Sequence, residues 1–176
     1  LTRFILVTAI IILLNIISTK LHVRLDATAE KRFSLSEPTK RLLKNLNEIA
    51  VIEVYLKGSF PAGFQRLSES TREVLQQFKE YGGKNIRFEF INPIEGKTDK
   101  EKSEVFRSFS EKGITFIKLK IQQDEDEGYS EKIIFPSCNI IYNQKEMAVN
   151  LLESHLSMSP DEKLNYSESL LEYKLA

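Results

Sequence analysis

The 176-residue sequence predicts an α/β (α+β) protein: an N-terminal transmembrane helix followed by one domain with a mixed sheet. Three observations carry that expectation. An uncharged apolar run extends from Phe4 to Thr19, a strand–helix–strand pattern extends from Ala50 to Ile91, and several short β-rich runs with turn signals follow.

The apolar run contains Phe4, Ile5, Leu6, Val7, Ile10, Ile11, Ile12, Leu13, Leu14, Ile16 and Ile17, and its polar members are Thr8, Asn15 and Ser18. Such a segment, apolar all round, suits contact with membrane lipid. Its sixteen uncharged residues fall short of the ~20 usually needed to cross the hydrocarbon core. Arg3 and Lys20 can snorkel outward and make up the difference. A buried core helix would show a polar stripe. A cleaved signal would end in small residues, and Ser18-Thr19-Lys20-Leu21 is a poor site. Residues 1–20 are therefore expected to span the membrane permanently, residues 21–35 to connect, and residues 36–176 to fold. Basic residues flank both ends, Arg3 before and Lys20, Arg24, Lys31 and Arg32 after, so charge leaves the orientation open.

The folded part begins with a helix that Ser34, Ser36 or Glu37 could cap, with Pro38 in its first turn. Leu42, Leu43, Leu46 and Ile49 recur at helical spacing and predict one buried face. Residues 50–56 and 85–91 read as strands, the second placing Ile86, Phe88 and Phe90 on one side. Between them Leu67, Thr71, Val74, Leu75, Phe78 and Tyr81 keep helical period until Gly82-Gly83. A right-handed βαβ crossover would make the two strands parallel. A second helix is expected with Val105, Phe106 and Phe109 inward and Gly113 at its end, then a strand from Ile114 to Ile121. The acidic tip Asp124–Gly128 turns the chain into Ile133-Ile134-Phe135, and 139–143 and 147–149 suggest a hairpin. Ser159-Pro160-Asp161-Glu162 opens a last helix. Parallel strands followed by antiparallel ones form a thioredoxin-like plan, since a flavodoxin-like sheet would need more crossovers.

Charge and chemistry exclude several classes. Lysine plus arginine and aspartate plus glutamate number 25 each, so there is no basic field to gather nucleic acid. The single cysteine, Cys138, excludes an internal disulfide framework, a CxxC pair and a Cys-rich zinc site. In a thioredoxin-like plan redox cysteines would follow the first strand, but Lys57-Gly58-Ser59-Phe60-Pro61-Ala62-Gly63-Phe64 has no sulfur. His22 and His155 have no ligand neighbours in sequence, and the acidic tip lacks the spacing of a calcium loop. No G-x-S-x-G and no phosphate-cradling glycine loop occurs. The expectation is a protein that is not an enzyme and needs no cofactor or metal. Phe60, Pro61 and Phe64 are the candidate partner-binding residues, with a core plug as the alternative for the two phenylalanines.

Three segments taken together resemble a known family: EKRFSLSEPTKRLLKNL after the apolar run, VYLKGSFPAGFQRLSESTREVLQQF, and the late SPDEKLNYSESLLEYKLA. The chain resembles GldG, the gliding-motility-associated ABC-transporter auxiliary or substrate-binding component. The resemblance implies an inner-membrane protein with its head in the periplasm. It also implies two partners, a polytopic membrane subunit and a separate cytoplasmic ATPase, and a role in gliding motility. The sequence begins at Leu1 and ends in helical pattern at Ala176, and it is expected to be a piece of a longer chain. Two functions follow as expectations. One is a non-catalytic auxiliary subunit whose periplasmic head is a protein-interaction module. The other is a periplasmic solute- or glycan-binding subunit of the same transporter, against which stands the lack of tryptophan for stacking on sugars.

Overall fold

Ser36 starts the first helix, α1 (Glu37–Lys44): its side-chain oxygen accepts the Thr39 N–H at 3.4 Å, and Pro38 occupies the first turn where its missing N–H costs nothing. The computed structural model describes Arg3 and residues 34–122, 129–153 and 157–176. The expected membrane span from Phe4 to Thr19, the connector up to residue 33, the acidic tip, His22 and His155 lie outside the described residues. Among the described residues no helix is long and apolar enough to cross a membrane.

The buried face of α1 differs from the expected leucine stripe. Thr39 and Leu43, one helical turn apart, face inward, while Leu42 is 46% and Ile49 41% exposed. The helix ends at Lys44, and the Asn85 side chain donates to the Leu46 carbonyl at 2.6 Å, so residues 45–49 run as a connection and leave the helical period.

Strand β1 (Ala50–Val54), helix α2 (Ala62–Gly82), a short 3-10 turn (Gly83–Asn85) and β2 (Ile86–Phe90) form the expected βαβ unit, with β1 and β2 parallel from Ala50↔Ile86 to Val54↔Phe90. Gly83 ends α2 at φ 57°, in the left-handed region where a side chain would be strained. Helix α3 (Asp99–Glu111) opens on a capping box between Thr98 and Glu101. Then come β3 (Ile117–Gln122), β4 (Tyr129–Ile134), β5 (Ser137–Tyr142) and β6 (Lys145–Asn150). Asn143 and Gln144 join the last two with φ of 49° and 61°, both positive as a tight two-residue hairpin requires. Ser159 and Glu162 make a second capping box for α4 (Pro160–Ser169), and α5 (Leu171–Leu175) follows.

The result is a mixed α/β protein with a mixed four-stranded sheet in the order β2-β1-β5-β6. β3 and β4 pair with each other as a separate antiparallel hairpin. The third strand begins at Ile117 rather than Ile114. Gly113, at φ 75°, turns the chain back so that the Ile114 N–H bonds the Phe109 carbonyl at 2.8 Å, and Ile114 is buried beside Tyr55 and Phe135.

Strand alternation divides the sheet into two faces. Ile52 and Val54 of β1 and Cys138 of β5 join Leu43 of α1, Leu67, Leu75 and Phe78 of α2, Leu164 of α4 and Leu171 of α5 in one core. Full burial of each large apolar side chain here contributes about 1.5–3 kcal/mol. Lys174 ties the end of α5 to this layer, donating to the Asn150 carbonyl at 2.7 Å and pairing with Glu153 at 2.7 Å. On the opposite face Tyr55, Ile114 and Phe135 form a smaller cluster with Phe106 and Phe109 of α3.

Candidate functional site: a cleft on the polar face of the sheet

The register places three polar residues side by side across the second face. Glu89 of β2 stands beside Glu53 of β1, which stands opposite Asn139 of β5, which stands opposite Ala148 of β6. The next row is Arg87, Val51, Ile141 and Glu146. Helix α3 covers only one end of this face, because its apolar side chains are Val105, Phe106 and Phe109, and none of its residues is fully buried. A cleft of about 460 Å³ opens where that cover stops. The sheet supplies its floor with Glu53, Tyr55, Asn139 and Ile141. Helix α3 supplies Val105, Phe109 and Lys112, and the loop after β2 supplies Ile91, Pro93 and Lys97.

Each part of the cleft is held by local chemistry. The loop leaves β2 with the Ile91 N–H on the Val54 carbonyl at 2.9 Å, and Asn92 accepts the Ile94 N–H at 3.2 Å, a side-chain-closed turn. The Tyr55 ring packs on Phe109 with centroids 4.7 Å apart, and its hydroxyl donates to Glu53 over a long 3.5 Å. Burial, and next the Glu53 charge, push the Tyr55 phenol well above its usual range, so it remains a donor. Lys112 pairs with Glu146 at 2.7 Å. That hydrogen bond and charge hold the Glu146 carboxyl below the usual range, with a smaller contribution from the Asn139 amide. Asn139 is 4% exposed, and its Oδ1 has no hydrogen-bond partner among the described residues. Glu53 has no cation within ion-pair distance among the described residues, the nearby lysines Lys57 and Lys112 being paired with Glu95 and Glu146.

The residues singled out by sequence lie elsewhere and are not brought together as one surface. Phe64 is 8% exposed and belongs to the core, Phe60 packs partly buried against that core, and Pro61 is exposed at the cap of α2. Cys138 is fully buried on the apolar face, and burial pushes its thiol up to about 12, which leaves it an unreactive thiol at neutral pH. Among the described residues no group of three or more His, Cys, Asp or Glu side chains is placed to hold a metal ion.

Glu53 and Asn139 are the residues that sequence reasoning passed over. Each is a polar residue inside an apolar strand, in AVIEV and SCNIIY, and that interruption was the available signal. Only the β1–β5 register turns two separate interruptions into one site.

No curated protein and no solved structure matches the chain. A family model described as Domain of unknown function (DUF7088) matches residues 29–141, a span that includes β1, α2, β2, α3, Glu53 and Asn139. With more than half of its residues matched, the chain belongs to the DUF7088 family.

Proposed function

We propose that this chain is a membrane-anchored, non-catalytic auxiliary subunit of an ABC-transporter-type complex of the GldG kind. Its head stands in the periplasm as a protein-interaction module and serves gliding motility with a polytopic membrane subunit and a cytoplasmic ATPase. The resemblance of the three segments around the first helix, α2 and the last helices motivates the assignment. The observation that supports it most is the pairing of a sheet order with an empty chemical position. The order β2-β1-β5-β6, parallel then antiparallel, suits a thioredoxin-like head. The loop where such a head would carry its redox pair reads Lys57–Phe64 without sulfur. A scaffold of that kind with an inert loop is suited to contact rather than to disulfide exchange, and Phe60 and Pro61 are the residues through which that loop reaches a partner.

Affinity capture of the tagged full chain from native membranes tests the assignment. The expected co-purifying proteins are a polytopic membrane subunit and an ABC-type ATPase, with Phe60→Ala reducing their recovery at a stability cost of only about 1 kcal/mol, while the more destabilising Phe64→Ala leaves recovery of the folded chain's partners unchanged. Recovery of the chain without either protein would overturn it. The periplasmic placement has its own check: Asn143→Cys, on the exposed β5–β6 turn, should react with a membrane-impermeant thiol reagent in intact spheroplasts, against the silent background of buried Cys138.

A second reading, a solute-binding subunit of the same transporter, draws on the cleft beside α3. Its lining of aromatic, aliphatic and a few convergent polar groups is the usual make-up of a small-ligand site.

A further inference from the structure

We propose that the cleft between α3 and the polar face of the sheet binds an organic cation, an ammonium or guanidinium group carried on an apolar stem. The inference rests on the cleft alone and stands whether or not the chain serves an ABC-type complex.

The floor has more acceptors than donors. Asn139 Oδ1 is buried without a partner among the described residues, a condition that a native core rarely keeps unless a further group supplies the donor. Glu53 lies directly across the β1–β5 ladder from Asn139. Side chains so paired are about 4.5–5.5 Å apart at Cβ, close enough for one group to touch both. Among the described residues the Glu53 carboxylate accepts only the Tyr55 hydroxyl, over a long 3.5 Å, which leaves most of its acceptor capacity open. The cations near the cleft do not neutralise it: Lys112 pairs with Glu146, Lys57 pairs with Glu95, and Lys97 stands exposed on the rim.

Charge and shape then select the ligand class. An anion would be repelled by Glu53 and would not satisfy the Asn139 oxygen. A neutral hydroxyl would satisfy Asn139 and leave the carboxylate uncompensated. A group with several N–H donors and a positive charge meets both acceptors at once. The walls suit what would carry that group, because the Tyr55 and Phe109 rings, packed with a 36° tilt, and Ile91 and Val105 offer apolar contact and an aromatic face to a cation. A metal ion fits less well, since among the described residues no group of three or more His, Cys, Asp or Glu side chains is placed to hold one and hard cations need many oxygen ligands. The volume of about 460 Å³ exceeds what a bare ammonium fills and leaves room for the stem. The same chemistry is found in a free amine or guanidine and in a lysine or arginine side chain of a partner protein.

The test titrates the nitrogen-labelled full chain in detergent micelles with n-butylguanidinium, with neutral n-butylurea, and with a capped Gly-Arg-Gly peptide. The expected result is a saturable shift of the Asn139 side-chain amide and the Glu53 and Tyr55 backbone amides with the cation and not with the urea. Glu53→Gln should weaken that binding about tenfold or more, the loss expected when a hydrogen-bonded charge partner is neutralised. Tighter binding of the peptide than of n-butylguanidinium assigns the cation to a partner protein, and the reverse assigns it to a small molecule. Absence of a saturable shift with both cationic probes, an equal response to n-butylurea, or an unchanged affinity in Glu53→Gln would each overturn the proposal.

Discussion

The two faces of the sheet solve different problems with adjacent residues of the same strands. In β1, Ala50, Ile52 and Val54 are buried beneath side chains from α1, α2, α4 and α5, whereas Val51 and Glu53 remain half-buried beneath a cover that α3 completes at one end only. In β5 the contrast falls between Cys138, which belongs to the core, and Asn139, which is buried too but whose oxygen has no partner among the described residues. One face concentrates apolar burial, which is where folding free energy comes from. The other keeps polar groups that stability alone would not select. The difference teaches that most apolar burial lies on one side of the sheet, while the other combines a smaller apolar cluster with a polar floor left partly uncovered.

The largest expected effect breaks the apolar face. Phe78, 1% exposed, lies at the centre of that core, and Phe78→Ala should cost about 3–5 kcal/mol of unfolding free energy in denaturant titration. Val51→Ala, on the other face of β1, should cost less than about 1 kcal/mol. Similar losses at the two positions would erase the contrast. Next in size is the pair of phenylalanines after β1. Phe64→Ala should destabilise by about 3 kcal/mol because its ring is part of the core, and Phe60→Ala by about 1 kcal/mol because its ring is only partly covered.

A smaller effect separates the helices over the two faces. Thr98 caps α3 and Ser159 caps α4, both through capping boxes, and alanine at either should cost about 1 kcal/mol locally. With no fully buried residue in α3, Thr98→Ala should appear as faster amide exchange confined to that helix. Ser159→Ala should also lower the global stability, because α4 buries Leu164 in the main core. The smallest effect is on pH. Hydrogen bonds from Thr98 and Ser159 hold the Glu101 and Glu162 carboxyls below 4.5, so the caps contribute fully above that pH and their contribution fades as pH falls through the lowered values. Replacing both glutamates by glutamine should flatten the acid side of the stability profile slightly.

Much of the apolar face was legible in the sequence. Leu67, Thr71, Leu75 and Phe78 declare α2 by their period, and Gly82-Gly83 ends it where the chain needs a positive φ. Ser159-Pro160 announces α4 because cap and first-turn chemistry are local. Failures arise where distant contacts decide. Leu42 and Ile49 continue a helical period that the chain abandons at Asn45, since Asn85, far along the sequence, holds the Leu46 carbonyl. Phe60 and Phe64 look alike in a short loop, and only the position of the first turn of α2 sends one ring inward. The cleft was the least legible part, because Glu53 and Asn139 meet only through an antiparallel pairing of residues far apart in the chain.

The most direct test of the contrast between faces is the melting temperature of Asn139→Leu, a substitution of the same branched shape that removes the unpartnered oxygen from a site 4% exposed. If Asn139 is kept for recognition, the apolar replacement should raise stability by about 1–2 kcal/mol while abolishing the response to n-butylguanidinium, because a buried acceptor without a donor costs about that much. A clear fall in melting temperature would contradict the account, since it would make Asn139 a structural member of the sheet and the polar face a part of what holds the fold.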